Sequence, residues 1–184
     1  DVYNKAKSLI PGFGAADPCT INVHCPQGDD WQEESRSAVM LMVNGSGFCS
    51  ATLVNNSSND GTPYVLTADH CIGNGDGSNY VTLFNYESPV CENSYPDIDQ
   101  TVSGTLIRAR NSVSDFALLE MSEAPPAGYN ALYSGWTRST SPPERYICMG
   151  FPSGDIKKWS EEVHRGREFG YWRTSPKLSS GQTE

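Results

Sequence analysis

The fold is decided by residues 38–54, which read AVMLMVNGSGFCSATLV. Two runs rich in apolar and β-branched residues, Ala38–Val43 and 49–54, flank the pair Asn44-Gly45. Both central positions of a tight primed turn favour a positive φ, which Asn and Gly adopt readily. The stretch therefore predicts two antiparallel strands joined as a β-hairpin.

Short runs of the same kind continue along the chain, separated by clusters of Gly, Asn, Asp and Ser. They predict further strands at 64–67, 80–86, 100–108, 115–121 and 145–149. Capped helical periodicity over ten or more residues is scarcely present. The pattern therefore favours an antiparallel all-β barrel or sandwich over alternating strands and helices.

Proline and glycine clusters predict the borders of three segments. Residues 1–18 contain several such breakers, so we interpret them as an N-terminal arm or the remnant of a pro-segment. The run APPAG at 124–128 predicts a linker after a first β-barrel at 19–124. Residues 125–184 contain three or four strands, too few to close a barrel, and predict a partial second barrel.

The charge balance excludes two classes of partner. Thirteen Lys and Arg against 22 Asp and Glu give a net charge of −9, which repels nucleic-acid phosphates and anionic lipid headgroups. The longest clean apolar run, Ala38–Val43, is shorter than a membrane span or a signal-peptide core requires. We therefore expect no nucleic-acid partner and no membrane partner.

The six cysteines and the loop-rich composition indicate an exported protein with disulfides. The chain has no C-x-x-C pair, so cysteine ligation of a metal is disfavoured. The polar loop at 74–79 has oxygen ligands but lacks the terminal acidic residue of a calcium loop. We expect no metal and no cofactor.

Two residues stand out as candidates for catalysis. His70 follows an apolar strand and precedes Cys71, and a disulfide there would hold the imidazole rigid for general-base work. Asp115 begins a nearly continuous apolar run that predicts a strand buried on both faces, so its carboxylate needs a partner such as an imidazole Nδ1–H. The alternatives are an ordinary loop histidine and an aspartate that caps its own turn.

Together these segments resemble trypsin-like serine proteases, through TADHC at 67–71 and SDFALL at 114–119. Within that superfamily the closer likeness is to bacterial lysyl endopeptidases. It spans residues 19–184, is strongest between Cys49 and Cys71, and is weakest between Lys157 and Ser180. The matching stretches are CTINV at 19–23, CP at 25–26, SATLVNN at 50–56, YSGW at 133–136 and GQTE at 181–184.

The resemblance implies two antiparallel six-stranded β-barrels, of which this chain holds the second incompletely. It implies that His70 is the general base and later the acid, and that Asp115 orients the imidazole. The family's Gly-x-Ser-Gly nucleophile motif follows the stretch that matches 181–184, so the nucleophile is expected beyond Glu184. Ser179 and Ser180 lack the second glycine of that motif and are expected in a surface turn.

The resemblance also implies disulfides Cys49–Cys71 and Cys25–Cys91, with Cys19 bonded to a cysteine outside this sequence. Cys148 has no counterpart, and a Cys19–Cys148 bond stays open as an alternative. Asp69 departs from the small or neutral residue that many relatives carry before the histidine. Loop geometry is expected to turn it toward solvent.

The expected function is that of a secreted serine endopeptidase, bacterial extracellular or periplasmic, that acts on polypeptide substrates. The resemblance implies cleavage after lysine, and the chain alone is expected to be inactive. One alternative is a non-catalytic protease-like binding module. Another is a processed enzyme whose second chain carries the serine nucleophile, with Glu184 marking the cut.

Overall fold

The computed structural model describes residues 12–43, 47–168 and 171–176. This part of the chain is dominated by strands, and its two α-helices, α1 (Gln32–Ser35) and α2 (Asp69–Ile72), are one turn each. The strands are β1 (Ile21–Asn22), β2 (Ala38–Val43), β3 (Gly47–Val54), β4 (Tyr64–Thr67), β5 (Val81–Leu83), β6 (Thr101–Ser103), β7 (Thr105–Asn111), β8 (Phe116–Met121), β9 (Arg145–Gly150), β10 (Lys158–Glu168) and β11 (Tyr171–Pro176). The all-β prediction is confirmed.

The chain divides into two compact units. One, called here the histidine unit, comprises Trp31–Tyr86 and Pro96–Trp136. The other, called the terminal unit, comprises Asp1–Asp30, Glu87–Tyr95 and Thr137–Glu184. Each unit joins segments that are distant in sequence.

The histidine unit contains a seven-stranded antiparallel sheet in the order β6-β5-β2-β3-β4-β8-β7. The predicted hairpin is present, because β2 pairs with β3 from Ala38↔Thr52 to Val43↔Gly47. The turn residues Asn44-Gly45 lie outside the described part. Strand β3 buries the alternate residues Ala51 and Leu53, whereas β2 buries four consecutive residues, Ala38 to Leu41. The main core cluster contains Val39, Leu41, Ala51 and Leu53.

Strand β8 is buried on one face, which corrects the expectation that it is buried on both. Ala117, Leu119 and Met121 enter the core, whereas Phe116 is 38% exposed. Strand β8 lies between β4 and β7, and on its outer face Leu66 of β4 and Leu106 of β7 are exposed as well. The nearly continuous apolar sequence of β8 therefore reflects a buried inner face and an outer face on which apolar side chains are exposed.

The terminal unit is organised around β10, which pairs with β1, β9 and β11. No strand is predicted for β10, because its residues KWSEEVHRGRE are mostly polar. Lys158, its first residue, is nevertheless buried, and its Nζ lies 3.5 Å from Asp155 Oδ2. Lys157, which precedes the strand, is buried as well, and its Nζ lies 2.7 Å from Glu87 Oε2. Paired charges of this kind allow a polar segment to occupy an interior position.

Within the terminal unit, the described end of the N-terminal segment contacts Asp155 and its neighbours. The Asp155 carboxylate accepts hydrogen bonds from the backbone N–H groups of Gly14 and Ala16, at 2.7 and 3.2 Å. Phe13 is 1% exposed. A Cβ at Gly12 would lie 2.4 Å from the backbone of Gly154, so this close approach requires glycine. Residues 1–11 lie outside the described part.

Among the described residues, no helix has both the length and the apolar character needed to cross a membrane.

Candidate active site

His70 lies on the one-turn helix α2, directly after β4. Strand β4 ends at Thr67, and Ala68 has the extended backbone that precedes a helix, with φ −80° and ψ 149°. The antiparallel pairing of β4 with β8 brings Thr67 opposite Ala117. The end of β4 therefore delivers His70 close to the turn that precedes β8.

Asp115 occupies that turn and holds His70 twice. Its Oδ2 lies 2.7 Å from His70 Nδ1, and its Oδ1 accepts a hydrogen bond of 2.9 Å from the backbone N–H of His70. These two hydrogen bonds, the backbone one first, lower the pKa of Asp115. The carboxylate is therefore ionised at neutral pH and accepts a hydrogen bond from Nδ1–H.

This geometry prepares the imidazole for proton transfer. A carboxylate on Nδ1–H fixes the tautomer in which Nε2 carries the free lone pair, so that Nε2 can act as a base. The side chains of His70 and Asp115 are 72% and 47% exposed. This exposure corrects the expectation that the Asp115 carboxylate lies inside the protein, since Asp115 precedes β8 rather than lying within it.

The Cys49–Cys71 disulfide anchors α2 to the sheet, because Cys71 follows His70 and Cys49 belongs to β3. The two Cα atoms are 6.2 Å apart. The Cys25–Cys91 disulfide lies within the terminal unit. Both pairings are those implied by the family resemblance.

Cys19 and Cys148 are free, so the alternative bond between them is not formed. Cys19 is exposed and Cys148 is half-buried. Burial, with a smaller contribution from Glu162, raises the pKa of Cys148 to about 11. The Cys148 side chain is therefore an unreactive thiol at neutral pH.

Asp69 is buried, which corrects the expectation that it faces solvent. The residue is 6% exposed, and its Oδ1 accepts a 2.6 Å hydrogen bond from Arg110 Nε. This hydrogen bond raises the pKa of Arg110. The inward position of Asp69 is stable because an oppositely charged partner compensates its carboxylate.

Two contributors to the site were missed from the sequence. Arg110 lies in β7, 41 residues from Asp69, and reads in the sequence as an exposed charge. The Tyr80 hydroxyl donates a 2.5 Å hydrogen bond to the backbone oxygen of Ile72, at the end of α2. No local pattern signals either contact, because both join segments that the sheet brings together.

One cluster in the described part has three side chains of metal-binding type close together: Cys49, His70 and Cys71, whose candidate ligand atoms lie within 4.8 Å of one another. Both sulfurs belong to the disulfide and therefore provide no thiolate.

In the loop at 74–79, the Asp76 carboxylate accepts hydrogen bonds from the Ser78 hydroxyl and backbone N–H, at 2.6 and 3.0 Å.

The other histidines lie in the terminal unit. His24 contacts Glu87 at 3.1 Å with its side chain 31% exposed, and His164 packs edge-on against the Trp172 ring. Ser179, Ser180 and residues 181–184 fall outside the described part. The structure thus brings together His70, Asp115 and the Cys49–Cys71 disulfide.

The sequence matches a family profile described as "Lysyl endopeptidase, C-terminal domain" over residues 13–182. It is 30% identical over 167 residues to a lysyl endopeptidase of Pseudomonas aeruginosa, covering 82% of this chain and 35% of that protein. It is 28% identical over 162 residues to snake venom serine protease 3 of Protobothrops jerdonii, covering 77% of this chain and 54% of the relative. The chain thus spans about a third and about half of these two relatives.

Solved protease structures share the fold. An inactivated protease paralogue of the scabies mite superposes with a TM-score of 0.53 at 16% identity, over 72% of this chain and 62% of that one. The Rv3671c protease in its inactive form gives a TM-score of 0.50 at 11% identity, over 92% and 77%. The fold of this chain is therefore that of the trypsin-like proteases.

Proposed function

The chain belongs to the lysyl endopeptidase C-terminal domain family of trypsin-like serine proteases. We propose from this that it supplies the general base, His70, and its orienting carboxylate, Asp115, to a peptide-cleaving active site. The observation that carries the proposal is the 2.7 Å contact between His70 Nδ1 and Asp115 Oδ2. An imidazole oriented in this way is required of the general base in acyl transfer.

His70 performs two proton transfers in the proposed reaction. Nε2 first takes the proton of a serine hydroxyl as the serine oxygen bonds to the scissile carbonyl carbon. The imidazolium then donates that proton to the leaving amine as the C–N bond breaks, and water repeats the sequence to release the acyl group. Asp115 stabilises the imidazolium and remains ionised throughout.

The serine and much of the oxyanion hole come, in this proposal, from a segment that follows Glu184 or from a second chain. The substrates are polypeptides cut after lysine, as the family description suggests. The acidic residue that such selectivity requires belongs to the same segment as the serine. The two disulfides support an exported protein that acts outside the cytoplasm.

A lysine-bearing phosphonate that reacts with activated serines tests the proposal on the natural protein, isolated with whatever chain accompanies it. We expect labelling of a serine in a peptide outside residues 1–184, and we expect His70→Ala to abolish it. An Asp97→Asn variant, which changes an exposed acid, should be labelled normally. The absence of labelling in the natural protein would refute the proposal and favour a protease-like binding module.

A further inference from the structure

Helix α2 cannot hold His70 in place by its own stability. It comprises four residues, Asp69–Ile72, and a helix of one turn is unstable without tertiary contacts. Its side-chain cap is also missing, because Ala68 at its start has no side-chain hydrogen bond to offer. The position of His70 therefore depends on the Cys49–Cys71 disulfide and on the groups that hold the two ends of α2.

Arg110 contacts both ends. Its Nε donates to Asp69 Oδ1 at 2.6 Å, and its Nη1 donates to the backbone oxygen of Gly73 at 2.9 Å. Asp69 is the first residue of α2, and Gly73 directly follows the last. The planar, forked guanidinium makes both bonds at once, which a lysine ammonium on a single stem cannot reproduce with the same geometry.

The burial of Asp69 makes this contact costly to lose. The Asp69 side chain is 8% exposed, while that of Arg110 is 35% exposed. A carboxylate left unpaired at such a depth is strongly unfavourable, so it must regain water or a proton. To regain water, the first residue of α2 must shift, and it is covalently bonded to His70.

The same hairpin carries Arg110 and Asp115. Arg110 lies in β7 opposite Ala117 of β8, and Asp115 ends the turn that joins the two strands. The hairpin therefore holds α2 through Arg110 and holds His70 through Asp115. Since both contacts come from one pair of strands, the position in which Arg110 holds α2 determines the distance between His70 and Asp115.

We propose that Arg110 is a positioning residue for His70, which acts through the buried carboxylate of Asp69 and the carbonyl of Gly73 to keep the imidazole on Asp115. The inference rests on the proposed function for its catalytic meaning. The His70–Asp115 hydrogen bond itself is measured without substrate.

The test is the tautomer of His70 in the 184-residue chain, read from long-range ¹H–¹⁵N NMR spectra at a pH where the ring is neutral. His70→Gln assigns the signal among the three histidines. In the unmodified chain the Nδ1–H tautomer should predominate. In Arg110→Met the ratio of Nδ1–H to Nε2–H should fall about tenfold or more, as expected when a hydrogen bond to a charged group is lost.

Arg108→Met is the matched control. Arg108 lies in the same strand and forms a similar ion pair, with its Nε 2.7 Å from Glu120 Oε2, but this pair joins β7 to β8 rather than to α2. This variant should retain the unmodified tautomer ratio. An equal fall in both variants would overturn the proposal, because the effect would then belong to β7 in general.

A folded Arg110→Met chain with an unchanged tautomer ratio would also overturn the proposal, even if its melting temperature were lower. If that variant does not fold, Arg110→Lys replaces it, since it keeps the charge but loses the two-pronged contact. A reduced ratio in Arg110→Lys supports the positioning role, and an unchanged ratio refutes it. Absence of serine labelling together with the expected tautomer changes would refute the proposed function alone.

Discussion

Asp115 holds its carboxylate on His70 from a left-handed backbone conformation, with φ at 46°. Aspartate and asparagine adopt this region more readily than other side chains, because their short polar groups can hydrogen-bond locally. Asparagine is therefore a replacement that leaves the turn intact. It nevertheless removes the charge that selects the Nδ1–H tautomer.

Asp115→Asn in the enzyme that contains the serine should lower turnover on the order of 10⁴-fold and change substrate binding little, because the imidazole takes the wrong tautomer. Steady-state kinetics on a lysyl ester measure both effects. Asp97→Asn serves as the control. Turnover within about tenfold of the unmodified enzyme would contradict the proposed role of Asp115.

Glu87 provides a prediction about pH. Burial opposes its ionisation, but Lys157 and His24 outweigh that effect, so the pKa of Glu87 lies below its ordinary value of 4.5. A carboxyl group with a lowered pKa stabilises the folded chain above its ordinary pKa. That contribution is lost as the pH falls through the folded-state value.

Between about pH 6 and about pH 3, the melting temperature of the unmodified chain should therefore fall more steeply than that of Glu87→Gln. Glu92→Gln changes an exposed carboxyl of the same segment and should follow the unmodified chain. Parallel pH profiles for the unmodified chain and Glu87→Gln would show that Glu87 does not contribute in this way. Circular dichroism melts are sufficient for the comparison.

At the scale of elements, the Cys49–Cys71 disulfide closes a sequence separation of 22 residues that includes β4 and the start of α2. Replacing both cysteines with serine should lower the free energy of unfolding by about 2 to 4 kcal/mol, chiefly because the unfolded chain gains freedom. Denaturant unfolding measures the loss. Cys19→Ser, which removes an exposed free thiol, should leave stability unchanged, and an equal effect of the two changes would exclude the disulfide as the cause.

The elements differ in how well the sequence predicts them. The β2–β3 hairpin and β4 are predicted because apolar runs and turn residues are adjacent in sequence. Strand β10 is missed, since it is polar and pairs with β1 from the other end of the chain, as in Ile21↔Trp159. The pair Asp69–Arg110 is missed for the same reason, because each residue alone is typical of a solvated surface.

At the scale of the whole molecule, His70 and Asp115 provide a general base and the carboxylate that orients it, but neither is a nucleophile. The purified 184-residue chain should therefore not hydrolyse lysyl esters or amides at an enzymic rate. The assay is release of the ester alcohol with and without a serine-protease inhibitor. Turnover that the inhibitor abolishes would require a nucleophile within the chain, with Ser179 and Ser180 as the first candidates.

The segments of the two units alternate along the chain, so the two units are completed at different times during synthesis. Residue Ile21 of β1 finds its partner Trp159 only after 159 − 21 = 138 further residues have been added. At a synthesis rate of about 5 to 20 residues per second, that interval is roughly 7 to 28 s. The histidine unit can form in this time, whereas the terminal unit begins first and is completed last. A nascent chain stalled before β10 would therefore carry an assembled His70–Asp115 pair and an unpaired first strand.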